Sequence, residues 1–167
     1  MTVASTKTTS AATPAVRVLN LAGIEYSLHS FDHDPSTRRY GSEAADKLGV
    51  GSDQVFKTLM IQVDGAPVTA LVPVSGQLDL KGLASARGAK KAQLAGVAET
   101  ERRTGYPVGG VSPFGQRHAA PVVIDRTALE HSSVFVSAGR RGLEIEIRPE
   151  DLVMLTNAQV GKIAALD

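Results

Sequence analysis

Val55-Phe56-Lys57-Thr58-Leu59-Met60-Ile61-Gln62-Val63, then Asp64-Gly65, then Ala66-Pro67-Val68-Thr69-Ala70-Leu71-Val72-Pro73, is the stretch from which the architecture can be read. Val55 to Val63 is apolar and rich in β-formers, and Asp-Gly is a strong signal for a two-residue hairpin turn. Pro67 to Pro73 returns as the partner strand. Strand side chains alternate between faces. Val55, Lys57, Leu59, Ile61 and Val63 therefore share one face, and Phe56, Thr58, Met60 and Gln62 share the other. Lys57 is the polar member of the more apolar face. A lysine buried there must lower its pKa or find an anion. The competing reading is an edge position from which a long stem carries the amine to water.

Outward from the hairpin, helical and extended segments interleave. Thr13-Pro14 reads as an N-cap with proline at the first helical position. Ala15, Val18, Leu19 and Ala22 follow at helical spacing, and Gly23 ends the run. Ile24 to Phe31 reads as a strand, Asp32 to Gly41 as a loop, and Ser42 to Leu48 as a helix closed by Gly49. Asp79 caps a helix over Leu80 to Ala86, and a short helix follows over Val97 to Arg103. Gly105 to Gly115 holds too many breakers for regular structure. Pro121 to Asp125, Ser133 to Ser137 and Leu143 to Arg148 read as strands, and a last helix starts near Pro149. The expectation is a single mixed α/β domain over residues 13–167, preceded by a Ser/Thr/Ala-rich flexible tail over residues 1–12.

Composition narrows the chemistry. The 167 residues suit one domain with its own core, and 4% aromatics without Trp make that core aliphatic. Absence of cysteine excludes disulfides, cysteine-ligated zinc and a cysteine nucleophile, and is compatible with a reducing cytoplasm. Net charge is +1, but residues 81–141 carry ten Lys/Arg against four Asp/Glu, whereas residues 142–167 carry two against five. A basic middle segment suits phosphates, and scattered surface charge is the plainer alternative. No apolar run approaches the roughly 20 residues that a membrane helix requires, so no membrane partner is expected.

Several local features are candidate sites. Gly109-Gly110 would let backbone N–H groups approach a ligand oxygen, although connecting loops are the commoner use of such glycines. His29 and His33, with Asp32 and Asp34, have the spacing of a helical metal pair, but a strand running into a loop would not align them, so no metal is expected. Ser112 lies outside a GxSxG elbow, and Pro113 removes the following N–H. Ser137 ends a strand before a turn, facing either a pocket or solvent. Neither a Walker loop nor a GxGxxG fingerprint is present, and no cofactor is expected.

Nine segments in order resemble the bacterial YbaK family. They are Thr13-Pro14-Ala15, His29 with His33-Asp34-Pro35, Phe56-Lys57-Thr58-Leu59, Gly76-Gln77-Leu78-Asp79-Leu80, Gly88-Ala89-Lys90-Lys91, Thr104-Gly105-Tyr106, Gly109-Gly110-Val111-Ser112-Pro113, Val136-Ser137 and Arg141-Gly142-Leu143. The GQLDLK and GAKK segments point to the Cys-tRNA branch rather than the Ala-tRNA branch. The resemblance implies one α/β domain with a curved mixed sheet. It implies an enzyme that acts in trans on Cys-tRNA(Pro), and on Cys-tRNA(Cys) as well, with prolyl-tRNA synthetase as transient partner. The family's essential lysine falls on Lys57, its threonine on Thr58, its pocket serine on Ser137 and its glycine loop on Gly109-Gly110. Two aromatic pocket positions fall on Phe31 and Tyr40, the first being commonly Tyr in relatives. A position commonly Asp falls on Glu144, longer by one methylene.

The mechanism implied needs no protein nucleophile: the substrate cysteine's thiol attacks its own carbonyl, with activated water as the rival route. Backbone N–H groups at Gly109-Gly110 would meet the developing oxyanion. A reading of another class is a non-catalytic module that binds tRNA or a synthetase through the basic middle segment.

Overall fold

The structure is a computed structural model, and it describes residues 12–166. The tail expected at 1–12 thus lies, but for Ala12, outside the described residues. Helices α1 (Pro14–Ala22), α2 (Tyr40–Leu48), α3 (Leu80–Ala86), α4 (Val97–Thr104) and α5 (Pro149–Thr156) surround ten strands. These are β1 (Ser27–Ser30), β2 (Phe56–Val63), β3 (Ala66–Pro73), β4 (Gly76–Leu78), β5 (Ala92–Leu94), β6 (Val122–Asp125), β7 (Val134–Arg140), β8 (Leu143–Ile147), β9 (Gln159–Gly161) and β10 (Ala164–Leu166).

The hairpin forms in the expected register, Val63 opposite Ala66 and Phe56 opposite Pro73. Asp64 and Gly65 take φ of 48° and 82°, which the tight turn requires. The Asp64 carboxylate also accepts from the Lys90 and Lys91 amides, tying the turn to the chain before β5. The larger sheet runs β5-β2-β3-β6-β9, antiparallel on its β5-β2-β3 side and parallel from β3 through β9. A smaller antiparallel sheet runs β1-β8-β7, and β10 pairs with β4. A parallel bridge between Val55 and Phe135 joins the two larger sheets.

Both faces of β2 are covered. Phe56 packs with Leu71, Val122 and Ile124 against Val136 and Ile145 of the smaller sheet, beneath Val16 and Leu19 of α1. Ile61 and Val63 pack on the opposite side with Val68, Val72 and Leu83 of α3. Thr13 caps α1 as expected, accepting from the Val16 amide at 3.2 Å. Its hydroxyl also donates to Ala138 O at 2.5 Å, fixing α1 to β7.

Some boundaries differ. The strand expected from Ile24 to Phe31 is confined to Ser27–Ser30, where β8 supplies a partner. Helix α2 starts at Tyr40, two residues before the expected Ser42, without a side-chain cap. The short strands β4, β5, β9 and β10 were not anticipated, because three residues carry no periodicity.

Candidate active site

β5 pairs with β2 only at Ile61, Gln62 and Val63, and Ala95 N donates to Met60 O just beyond. From Phe56 to Leu59, β2 therefore has β3 on one side and no strand on the other among the described residues. A cavity of about 480 Å³ opens along this free edge. Its walls are the first half of β2, the N-terminus of α2, the β5–α4 connection, the glycine loop and the β7–β8 pair. Among the residues lining it there is no histidine and no cysteine.

Lys57 lies half-buried in this wall, and burial lowers its pKa from the ordinary 10.5. It has no anionic partner among the described residues. The edge reading of Lys57 thus describes its strand, and the buried reading describes its side chain. Neighbouring Thr58 lines the same cavity, with a buried hydroxyl that has no partner among the described residues.

Ser137 and Glu144 come to the cavity as a cross-strand pair on β7 and β8. Val134, Val136 and Ala138 turn into the core, as do Leu143, Ile145 and Ile147. Alternation then sends Ser137 and Glu144 to the other face. Both are buried, at 8% and 6% exposure. Ser137 Oγ accepts from the Gly139 amide at 3.2 Å, in an irregular stretch where the register shifts. The Glu144 carboxyl has no hydrogen bond or ion pair among the described residues, and burial raises its pKa to about 8.

The glycine loop closes the cavity against Tyr40. Gly109 has φ of +89°, and a β-carbon there would lie 2.6 Å from the Tyr40 ring. Both its conformation and its close approach therefore require glycine. The Arg141 guanidinium sits 4.6 Å from the centre of the Tyr40 ring. It donates to Val108 O through Nε at 2.9 Å and Nη2 at 2.7 Å. Arg141 thus clamps the loop to the ring. In the sequence Arg141 stands out only through the Arg141-Gly142-Leu143 segment of the resemblance, and nothing in its spacing marks a contact to residue 108. Arg38 and Arg39, also unanticipated, are exposed at the cavity mouth.

Two expected site residues are placed elsewhere. Gly110 does not line the cavity. Its N–H donates to Pro107 O at 2.8 Å, and a β-carbon would lie 2.7 Å from Arg140 Cα. Its amide is consumed by the loop's own turn and is not available to an oxyanion, which leaves Gly109 as the glycine of this pair that lines the cavity. Phe31 packs behind the wall, on the cluster of Ala44, Ala45, Leu48, Val55 and Phe135, with Lys47 Nζ 5.8 Å from its ring. Its missing hydroxyl is therefore not lost from the cavity lining. The two histidines part company: His29 Nε2 meets Glu146 at 2.9 Å, and His33 Nδ1 meets Glu43 at 2.7 Å. Among the described residues, no group of three His, Cys, Asp or Glu side chains is placed to hold a metal ion.

The fold is a mixed α/β domain whose open cavity holds a half-buried lysine and a buried carboxyl, neither of them paired among the described residues. The chain belongs to the aminoacyl-tRNA editing domain family, whose model matches residues 34–155. It is 35% identical over 162 residues, 94% of this chain and 96% of the other, to an Enterococcus faecalis protein named "Putative Cys-tRNA(Pro)/Cys-tRNA(Cys) deacylase EbsC". A proline–tRNA ligase of Nitratidesulfovibrio vulgaris is 39% identical over 94 residues, 56% of this chain but 16% of the ligase. A crystallised "putative trans-editing enzyme for prolyl tRNA synthetase" superposes with a TM-score of 0.78 at 25% identity, over 92% of this chain and 98% of that one. Among the described residues, no helix is long and apolar enough to cross a membrane.

Proposed function

We propose that this protein is a trans-acting deacylase that releases cysteine from mischarged Cys-tRNA(Pro), and from Cys-tRNA(Cys) as well. In this reading residues 13–167 form the editing domain. The substrate is aminoacylated tRNA, prolyl-tRNA synthetase is the transient partner, and the cytoplasm is the site of action. The observation that carries the reading is Lys57, unpaired and half-buried in a cavity whose lining offers no histidine or cysteine to start covalent catalysis.

An aminoacyl ester must lose its 3′ oxygen. In the proposed route the substrate thiol attacks its own carbonyl carbon. A sulfur–carbon bond forms, the ester carbon–oxygen bond breaks, and the thiol proton passes to the departing 3′ oxygen. The cyclic thioester is then opened by water to free cysteine. A thiol ionises near ~8.5, so a modest shift supplies thiolate at neutral pH. Lys57 orients the ester and stabilises charge on the leaving oxygen or the adjacent phosphate. Thr58 and Ser137 offer hydroxyls to the amino acid, Tyr40 shapes the pocket, and Gly109 offers its backbone to the developing oxyanion.

The rival route has a specific support: Glu144, with its pKa raised to about 8, is suited to take a proton from water. Cys-, Ser- and Ala-charged forms of one tRNA body separate the two routes. Preference for the thiol substrate is expected, and equal turnover of all three would favour water. Lys57→Ala should lower deacylation at least about a hundredfold while leaving the far-UV spectrum unchanged. Full activity in that variant would remove Lys57 from the mechanism. A non-catalytic binding module would instead show tight, salt-sensitive tRNA binding and no ester cleavage.

A further inference from the structure

We infer that Glu144 is the receptor for a cation on the ligand, the free α-ammonium of the esterified amino acid, so that the site rejects amino acids whose amine is blocked or replaced. This deepens the deacylase reading and rests on it.

The chain satisfies its other buried carboxylate with donors of its own. Asp125, 2% exposed, accepts from the amides of Thr127, Ile163 and Ala164 and from the Thr127 hydroxyl. Glu146, two residues along β8, meets His29 at 2.9 Å and the Ser133 hydroxyl at 2.5 Å. Glu144 is buried to a similar degree and has no such partner among the described residues. A buried carboxyl left unsatisfied is unfavourable, and a purely structural role would have supplied donors.

Charge in the cavity supplies the second half. The charged residues lining it are Arg38, Arg39, Lys57 and Glu144. Glu144 is the single acid among them, and no cation lies within ion-pair distance of it among the described residues. The cavity therefore holds an unpaired acid on its β7–β8 wall, an unpaired lysine on its β2 wall and arginines at its mouth. A ligand that satisfies all of them carries a cation at one end and an anion at the other. An amino acid esterified to the terminal nucleotide has that form, with an ammonium on the α-carbon and a phosphate beyond the ribose. The Ser137 hydroxyl, directly across the strand pair, accepts from Gly139 and keeps its own proton for the ligand.

The test compares Cys-tRNA(Pro) with its 2-hydroxy-3-mercaptopropionyl counterpart, which keeps thiol and ester and replaces the amine by a hydroxyl. Each rate is divided by the uncatalysed rate. The wild-type protein should prefer the amine by about tenfold to a hundredfold, the range for a hydrogen bond to a charged partner. In Glu144→Gln that preference should vanish through loss on the amine substrate alone, and Glu144→Asp should retain part of it. A merely structural residue would slow both substrates alike, and an unchanged preference in Glu144→Gln would overturn the inference. A second arm measures binding of a non-cleavable 3′-cysteinylamino adenylate and of its N-acetyl form. Equal affinities would overturn the ammonium site. Ammonium-dependent binding without cleavage of Cys-tRNA would overturn the deacylase reading alone.

Discussion

Burial pushes the two unpaired groups of the cavity in opposite directions, and each shift is a statement about stability. Glu144 ionises near 8 in the folded chain against an ordinary 4.5. A raised carboxyl binds its proton more tightly when folded. Its contribution is fully present below about pH 4.5 and is lost as pH rises through about 8. Glu144→Gln, neutral throughout, should flatten the fall in stability between those limits. It should also raise stability above pH 8 by about 2–4 kcal/mol in urea melts. An unchanged pH profile would mean that the carboxyl is solvated or paired in solution. Lys57 contributes with the opposite sense. Its lowered pKa means that the protonated amine is unfavourable in the fold, and this penalty fades as pH climbs from its folded pKa towards 10.5. At Gly109, Ala would meet both a strained φ and the Tyr40 ring. Gly109→Ala should lower stability by about 1–3 kcal/mol and reduce deacylation, read by thermal melt and single-turnover rate.

At the scale of elements, the loop and helix around the cavity are held by identifiable ties. Arg141 joins Val108 O to the Tyr40 ring, and the Gly110 amide closes a turn on Pro107. Arg141→Ala should leave the sheets intact and speed exchange of the Gly110 amide about tenfold, equivalent to about 1.4 kcal/mol. Unaltered exchange would show that the clamp does not hold the loop. The chain before α2 depends on Glu43, which accepts from the Asp34 amide, His33 and Lys47. Burial pushes the Glu43 carboxyl up, but these bonds outweigh it and leave its pKa below 4.5. That tie is present above pH 4.5 and loosens as pH falls through the folded pKa. Alternation and turn chemistry were enough to find the β2–β3 hairpin, the α1 cap and the β7–β8 pair. They left the ordered resemblance to bring Lys57, Thr58, Tyr40, Gly109, Ser137 and Glu144 to one place. They could not show that Gly110 would spend its amide within its own loop, or that Phe31 would sit behind the wall. Both depend on contacts with residues three to more than a hundred positions away.

Across the molecule, the two larger sheets pack on each other through one of the buried clusters, and a few polar anchors fix how they meet. Asp125 is the most connected, holding the end of β6 to the start of β10 through Ile163 and Ala164. Asp125→Ala would strand buried amides and should lower stability by about 3 kcal/mol, with a fall in Tm of roughly 6–12 °C. A shift within about 1 °C would show that water replaces the carboxylate.

The free edge of β2 carries a hazard unrelated to catalysis. Exposed strand edges recruit one another, and a common safeguard is a charge placed where a second strand would dock. From Phe56 to Leu59 the only charge is Lys57. The residue proposed to serve the substrate would then also act as a gatekeeper against fibril-like self-association. Loss of it would be felt first in storage at high concentration, as turbidity in a Lys57→Leu sample that wild type escapes.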